Sequence, residues 1–115
     1  MKPVCFLGNA LDSLRAFPDA ARSVAGYQIE RLQHGLDPDD WKPMKSIGNG
    51  VREIRVRDAS GASGASGAYR VIYIASMKDA IYVLHAFQKK TQTTSRHDIY
   101  LATERFKDLI RNLKR

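Results

Sequence analysis

An α+β fold is predicted by three observations: a helical period near 3.6 in the first half of the chain, alternation with a period of two in the second, and an amphipathic tail after the last apolar run. The predicted arrangement is two N-terminal helices and a C-terminal helix packed on one face of a small, mainly antiparallel sheet. At 115 residues, with 43% hydrophobic and 27% charged side chains, residues 1–115 have the length and composition of a single folded domain.

Each element has its own local signal. Val4 to Leu7 is short, apolar and bounded by Pro3 and Gly8, which suits a strand. Asn9 offers an N-cap to a short helix ending near Ala16, and Pro18 suits the first turn of the next. There Ala20, Ala21, Val24, Gln28 or Tyr27, and Leu32 recur at three- and four-residue steps, and Gly35 ends the helix. Asp37-Pro38-Asp39-Asp40 reads as a turn. Val51 to Arg57 then alternates from Ile54 onward, with Ile54 and Val56 turned inward and Glu53, Arg55 and Arg57 outward. Tyr69 to Ala75 and Ala80 to Phe87 are further strands, rich in Tyr, Ile and Val and joined through Met77-Lys78-Asp79. Ser95 with Asp98 resembles a capping box, and Ile99, Ala102, Phe106 and Leu109 or Ile110 form the stripe of a tail helix. Three tandem Ala-Ser-Gly copies at 59–67 are small, polar and unable to pack a core, so they read as a low-complexity hairpin tip.

Charge narrows the function. The net charge is +7 and uneven: residues 1–60 hold nine Lys and Arg against eight Asp and Glu, whereas 61–115 hold ten against four. So basic a small domain points to an anionic partner, nucleic acid first, met by the second half. Cys5 is the single cysteine, which excludes a disulfide framework and a cysteine zinc cluster. No apolar run approaches the roughly 18–20 residues that span a bilayer, and the start is too short in apolar residues for a signal peptide. The expectation is a cytoplasmic protein with no membrane partner.

No motif for a metal or a nucleotide is present. Gly48-Asn49-Gly50 precedes a strand and not a helix, and His34, His85 and His97 lack ligand spacing. What remains is basic. Arg55 and Arg57 share a face with Glu53, Arg70 enters the next strand, Lys89 and Lys90 close the last one, and Arg96 and His97 begin the tail helix. Strands paired in sequence order would bring these groups to one end of the sheet, where an Arg cluster suits phosphate. Singly, each also fits a solvated charged face, and His97 a surface or capping position.

Four stretches carry a resemblance: Trp41-Lys42-Pro43-Met44-Lys45, Val51-Arg52-Glu53-Ile54-Arg55-Val56, Tyr69-Arg70-Val71-Ile72-Tyr73, and Leu84-His85-Ala86-Phe87-Gln88-Lys89-Lys90-Thr91-Gln92-Thr93. They are similar to the RelE/ParE superfamily of toxin–antitoxin toxins, in particular its HigB-like, phage-associated branch, whose last strand ends in a near-identical "HAFxKKTxKT" run. The resemblance covers nearly the whole chain and implies a RelE-like fold. It also implies a ribosome-dependent mRNA endoribonuclease that needs no cofactor and no metal, because the RNA's own 2′-OH attacks the adjacent phosphate. Its implied partners are the ribosome, mRNA and a helix-turn-helix antitoxin encoded by an adjacent gene.

Residue by residue, the family's strand arginine falls on Arg70, as transition-state stabiliser, and its terminal basic residue on Lys90, with Lys89 beside it. A further basic residue falls on Arg55. Glu53 is placed as base or as partner of an Arg, and His97, with Tyr100, stands nearest the family's C-terminal acid or stacking group. Lys42, Lys45, Arg57, Lys89 and Arg96 are the expected RNA contacts. The chain departs from the pattern in its long 59–67 tip and in Thr93-Thr94-Ser95, where relatives carry Lys or Pro. The same fold also carries ParE-like inhibitors of DNA gyrase and inactive nucleic-acid binders, so fold alone leaves these readings open.

Overall fold

Alternating apolar residues build the centre of the molecule. The computed structural model describes residues 1–57, 68–90 and 93–113 and contains β1 (Val4–Phe6), α1 (Ala10–Arg15), α2 (Asp19–Gln33), β2 (Trp41–Pro43), β3 (Val51–Arg57), β4 (Ala68–Ile74), β5 (Ile81–Gln88) and α3 (Arg96–Leu113). The tripeptide copies expected to form a hairpin tip, 59–67, lie outside the described residues, as do Thr91 and Gln92. The sheet runs β1-β5-β4-β3-β2; β1 pairs parallel with β5 and the other three pairs are antiparallel. It is therefore mixed, and mainly antiparallel as expected.

The helices do not share one face. Ile54, Val56, Val71, Tyr73, Ile81 and Val83 pack with Leu14 and Phe17 of the first-helix region and with Ala21, Ala25, Ile29 and Leu32 of α2. Their strand neighbours Val51, Ile72, Ile74, Tyr82 and Leu84 pack instead with Ala102 and Leu109 of α3. Successive strand residues point to opposite faces, so the two clusters lie on opposite sides of the sheet. Expecting all helices on one face was wrong because β4 and β5 are apolar at nearly every position. A strand buried on both faces needs cover on both.

Three local expectations are also revised. The inward stripe of α2 is Ala21, Ala25, Gln28, Ile29 and Leu32, while Ala20, Val24 and Tyr27 face outward. Gln28 stays inside because its amide donates to Asp39 (2.8 Å) and its carbonyl accepts the Asp39 N–H (2.9 Å). Pro18 stands one position earlier than expected, as the N-cap of α2. The side chain of Asn9 does not cap α1; it accepts a hydrogen bond from Arg105 Nη2 at 2.6 Å. Gly35 terminates α2 as predicted, in the left-handed conformation (φ +79°), which leaves the Leu36 N–H to bond the Arg31 carbonyl at 2.9 Å.

One irregularity interrupts the β4–β5 ladder. Ile72 pairs with His85 and Tyr73 with Val83, so Leu84 is an extra residue in β5. The bulge turns both Leu84 and His85 toward α3.

Candidate functional site

Pairing in sequence order carries the basic residues to the end of the sheet where β3 finishes, β4 starts and β5 finishes. Lys42, Glu53, Ile72 and His85 form one cross-strand row, and Arg55, Arg70 and Phe87 form the next, all on the α3 face. Glu53 is the centre. It is 0% exposed, with Oε1 at 3.4 Å from Arg70 Nε and 3.7 Å from Lys42 Nζ, while Oε2 accepts the Thr94 hydroxyl at 3.0 Å. At these separations Glu53 Oε1 and Arg70 Nε are ion-paired without a hydrogen bond. Arg70 Nη1 donates to its neighbour's carbonyl, Tyr69 O, at 2.9 Å. Arg55 is paired with Asp40, its Nε 3.5 Å from Asp40 Oδ1.

Lys89 completes the group. Its N–H donates to Ala68 O at 2.8 Å, extending the β4–β5 ladder by one bond beyond Gln88. Burial lowers the Lys89 pKa below 10.5, and the nearby charges of Arg70, Lys42 and Arg55 lower it further, against the opposing pull of Glu53. Arg70 is lowered from 12.5, chiefly by burial, with Glu53 opposing, and as a guanidinium it stays charged. One carboxylate thus pairs with Arg70 and Lys42, with the charge of Lys89 nearby, and the surplus positive charge is what an anion would meet. A cavity of about 150 Å³ adjoins it, lined by Phe87, Gln88, Lys89, Lys90, Ser95 and Asp98.

Of the residues expected in the site, Lys42, Glu53, Arg55, Arg70 and Lys89 come together. Lys90 is exposed beside the cavity, and Arg57 is exposed at the end of β3 opposite Ala68. Arg96 and His97 are exposed on the first turn of α3, and Tyr100 a turn further is 60% exposed. Lys45 is not in the group: it follows β2 past the Pro43–Arg52 pair, at the opposite end of the sheet. A larger groove of about 480 Å³ opens there as well, but its guanidinium is occupied, because Arg52 lies 4.0 Å over the Trp41 ring and 3.1 Å from Asp37. Size alone does not make that groove the site.

A solvated charged face fits neither Glu53 nor Arg70, which are buried, with Thr94, just ahead of α3, bonded to Glu53. Nor is Glu53 open to a substrate. A base must touch the proton that it takes, so the expectation of Glu53 as base gives way to its other expected role, as partner of an Arg. Thr94, Asp40, His85, Asp98 and Arg105 were not expected at the site. The visible signal for His85 was a polar residue inside an apolar run, which in a buried strand requires a hydrogen-bond partner.

A buried carboxylate paired with cations at one end of a five-stranded sheet, with helices on both faces, defines a small α+β domain. The chain belongs to the phage derived protein Gp49-like family (DUF891), which it matches over residues 12–107. That family belongs to the RelE/HigB-type toxin group and is associated with the toxins of toxin–antitoxin systems. The search of curated proteins gives no match. Among the described residues, no helix is long and apolar enough to cross a membrane.

Proposed function

We propose that the chain is a RelE-like toxin that cleaves mRNA on the ribosome, in the cytoplasm, and is silenced by a helix-turn-helix antitoxin from an adjacent gene. The observation that carries this reading is the pairing of Arg70 and Lys42 with one buried carboxylate at the basic end of the sheet, where β5 runs out into Lys89 and Lys90. The RNA 2′-oxygen attacks the adjacent phosphorus, the P–O5′ bond breaks, and the products are a 2′,3′-cyclic phosphate and a 5′-hydroxyl. That step needs a proton acceptor, a cation for the developing phosphorane charge and a proton donor.

Arg70 is the cation, held by Glu53. Lys89 is the proton acceptor: burial and the charges of Arg70 and Lys42 lower its pKa from the ordinary lysine value, the direction that a base needs. His97, exposed one residue before the cavity-lining Asp98, is the donor to the leaving oxygen. Lys90, Arg55, Arg57, Lys42 and Arg96 bind the flanking backbone, and their number makes binding weaken with salt.

The test is induction in a bacterium, with RNA 5′ ends mapped and plasmid supercoiling measured. New 5′ ends inside translated codons, absent when translation is blocked beforehand, support the reading. Lost supercoiling without such ends would replace it with gyrase inhibition.

A further inference from the structure

The bulge in β5 presents His85, which is 5% exposed, to α3, where both ring nitrogens are bound. Arg105 Nη1 lies 3.3 Å from Nδ1, and a guanidinium only donates, so Nδ1 is the acceptor. The ring proton is therefore on Nε2, donated to Asp98 Oδ1 at 2.7 Å. Burial, followed by the charges of Arg105 and His97, lowers the His85 pKa below 6.5 against the opposing effect of Asp98, which agrees with a neutral ring.

The same contacts continue in both directions. Asp98 Oδ2 accepts the Ser95 hydroxyl at 2.6 Å, and the Asp98 N–H donates back to Ser95 Oγ at 3.1 Å. The capping box thus closes the start of α3 and, through its acidic member, fastens it to the middle of β5. On the other side Arg105 donates to Leu84 O at 2.9 Å and to Asn9 Oδ1 at 2.6 Å. Gly8 allows that approach, since a Cβ there would strike the Arg105 guanidinium.

One peptide unit before Ser95 is Thr94, whose hydroxyl holds Glu53, and Glu53 holds Arg70. A second path reaches the same place: the His85 ring stacks on Phe87 (centroids 5.1 Å apart, 18° between planes), and Phe87 is the cross-strand neighbour of Arg70.

We propose that His85 is a positioning residue: as a neutral bridge between Arg105 and Asp98 it fixes the first turn of α3, so that Thr94 stays on Glu53 and Arg70 stays aimed at the substrate phosphate. This rests on the ribonuclease reading of the site. Because His85 touches no RNA, its loss slows turnover, while binding, carried by the exposed cations, is retained.

The experiment compares His85→Leu, which removes both bonds, with His85→Gln, whose amide retains a donor for Asp98. Asp98→Ala cuts the same link from α3 and serves if His85→Leu does not fold. On ribosomes programmed with mRNA, His85→Leu lowers kcat about tenfold or more with KM within about twofold, and His85→Gln stays within about threefold of the parent. Amide hydrogen exchange at Asp98 and Ile99 quickens about tenfold in His85→Leu, with the β3–β4 amides unchanged. Equal loss in the Leu and Gln variants, or a rise in KM alone, would overturn the proposal. So would unaltered exchange at Asp98 and Ile99. If the parent itself cuts no RNA, the ribonuclease reading falls, and the exchange comparison alone still decides whether His85 fixes α3.

Discussion

The two faces of the sheet come from the same strands and obey different rules. Toward α1 and α2 the strands present Ile54, Val56, Tyr69, Val71, Tyr73, Ile81 and Val83, an apolar surface from end to end. Toward α3 they present Val51, Ile72, Ile74, Leu84 and Phe87 interleaved with Glu53, Arg70 and His85. The first face contributes stability through transfer and packing. The second contributes less for the same area, because each buried polar group must be matched by partners that only partly offset its desolvation. What that face gains is a charge distribution that water does not screen.

The largest expected effect lies on the apolar face. Ile54→Ala removes a 0% exposed side chain between α2 and the sheet and costs about 2–5 kcal/mol of stability. Chemical denaturation measures the loss, and cleavage per folded molecule stays at the parental rate. A loss under about 1 kcal/mol would mean that the cluster under α2 is not the main core.

On the polar face the expectation reverses. In Glu53→Gln with Arg70→Met both charges of the buried pair go together, so stability stays within about 1 kcal/mol of the parent. Cleavage falls roughly a hundredfold, because a lost transition-state contact raises the barrier by about 3 kcal/mol. Toxicity retained by a folded double variant would remove Arg70 from the chemistry.

How much of the fold and site was legible depended on the period of the pattern. The pairing of β3, β4 and β5 in sequence order, the basic end of the sheet, and the pairing of Ser95 with Asp98 were readable, because alternation and caps are local signals. The parallel place of β1 beside β5 and the short strand β2 were not. The second covered face was hidden: Val71-Ile72-Tyr73-Ile74 is apolar throughout, so alternation could not say which neighbour went where. Glu53 and Arg55 look equivalent in sequence, both outward on β3. Only the segment leading into α3, which arrives some forty residues later with Thr94, bonds to one of them in the interior, while the other stays half-exposed. The bulge at Leu84 likewise depends on two strands at once, so the turning of His85 toward α3 was not legible from either alone.

A smaller effect is expected from His85. Its pKa is lowered below 6.5 in the fold, first by burial, whereas in the unfolded chain it titrates near the ordinary value. Above about pH 6.5 both states hold it neutral and its stabilisation is complete. As the pH drops toward the folded value the unfolded chain binds the proton first, so stability declines through that window and then levels. Thermal melts of the parent and of His85→Gln show the difference: the parent loses more between pH 7 and the acid plateau. Parallel curves would mean that His85 does not titrate differently on unfolding.

The smallest expected effect separates the two readings of α2. Helical spacing nominated Val24 and Tyr27 for the interior, yet they are 38% and 54% exposed, while Ala21 and Ala25 are fully buried. The stripe is rotated: Ala21, Ala25, Gln28, Ile29 and Leu32 turn inward, and Val24 and Tyr27 turn outward. Burial, not hydrophobicity, sets the cost of a substitution. Val24→Ser therefore changes stability by no more than about 0.5 kcal/mol, as surface substitutions do. The serine side chain also loses little to helix propensity, where it ranks near valine. Urea denaturation of Val24→Ser and Tyr27→Ser resolves the question. A loss above about 1 kcal/mol in either would place that side chain in the core and return the inward stripe to the one that spacing alone predicted.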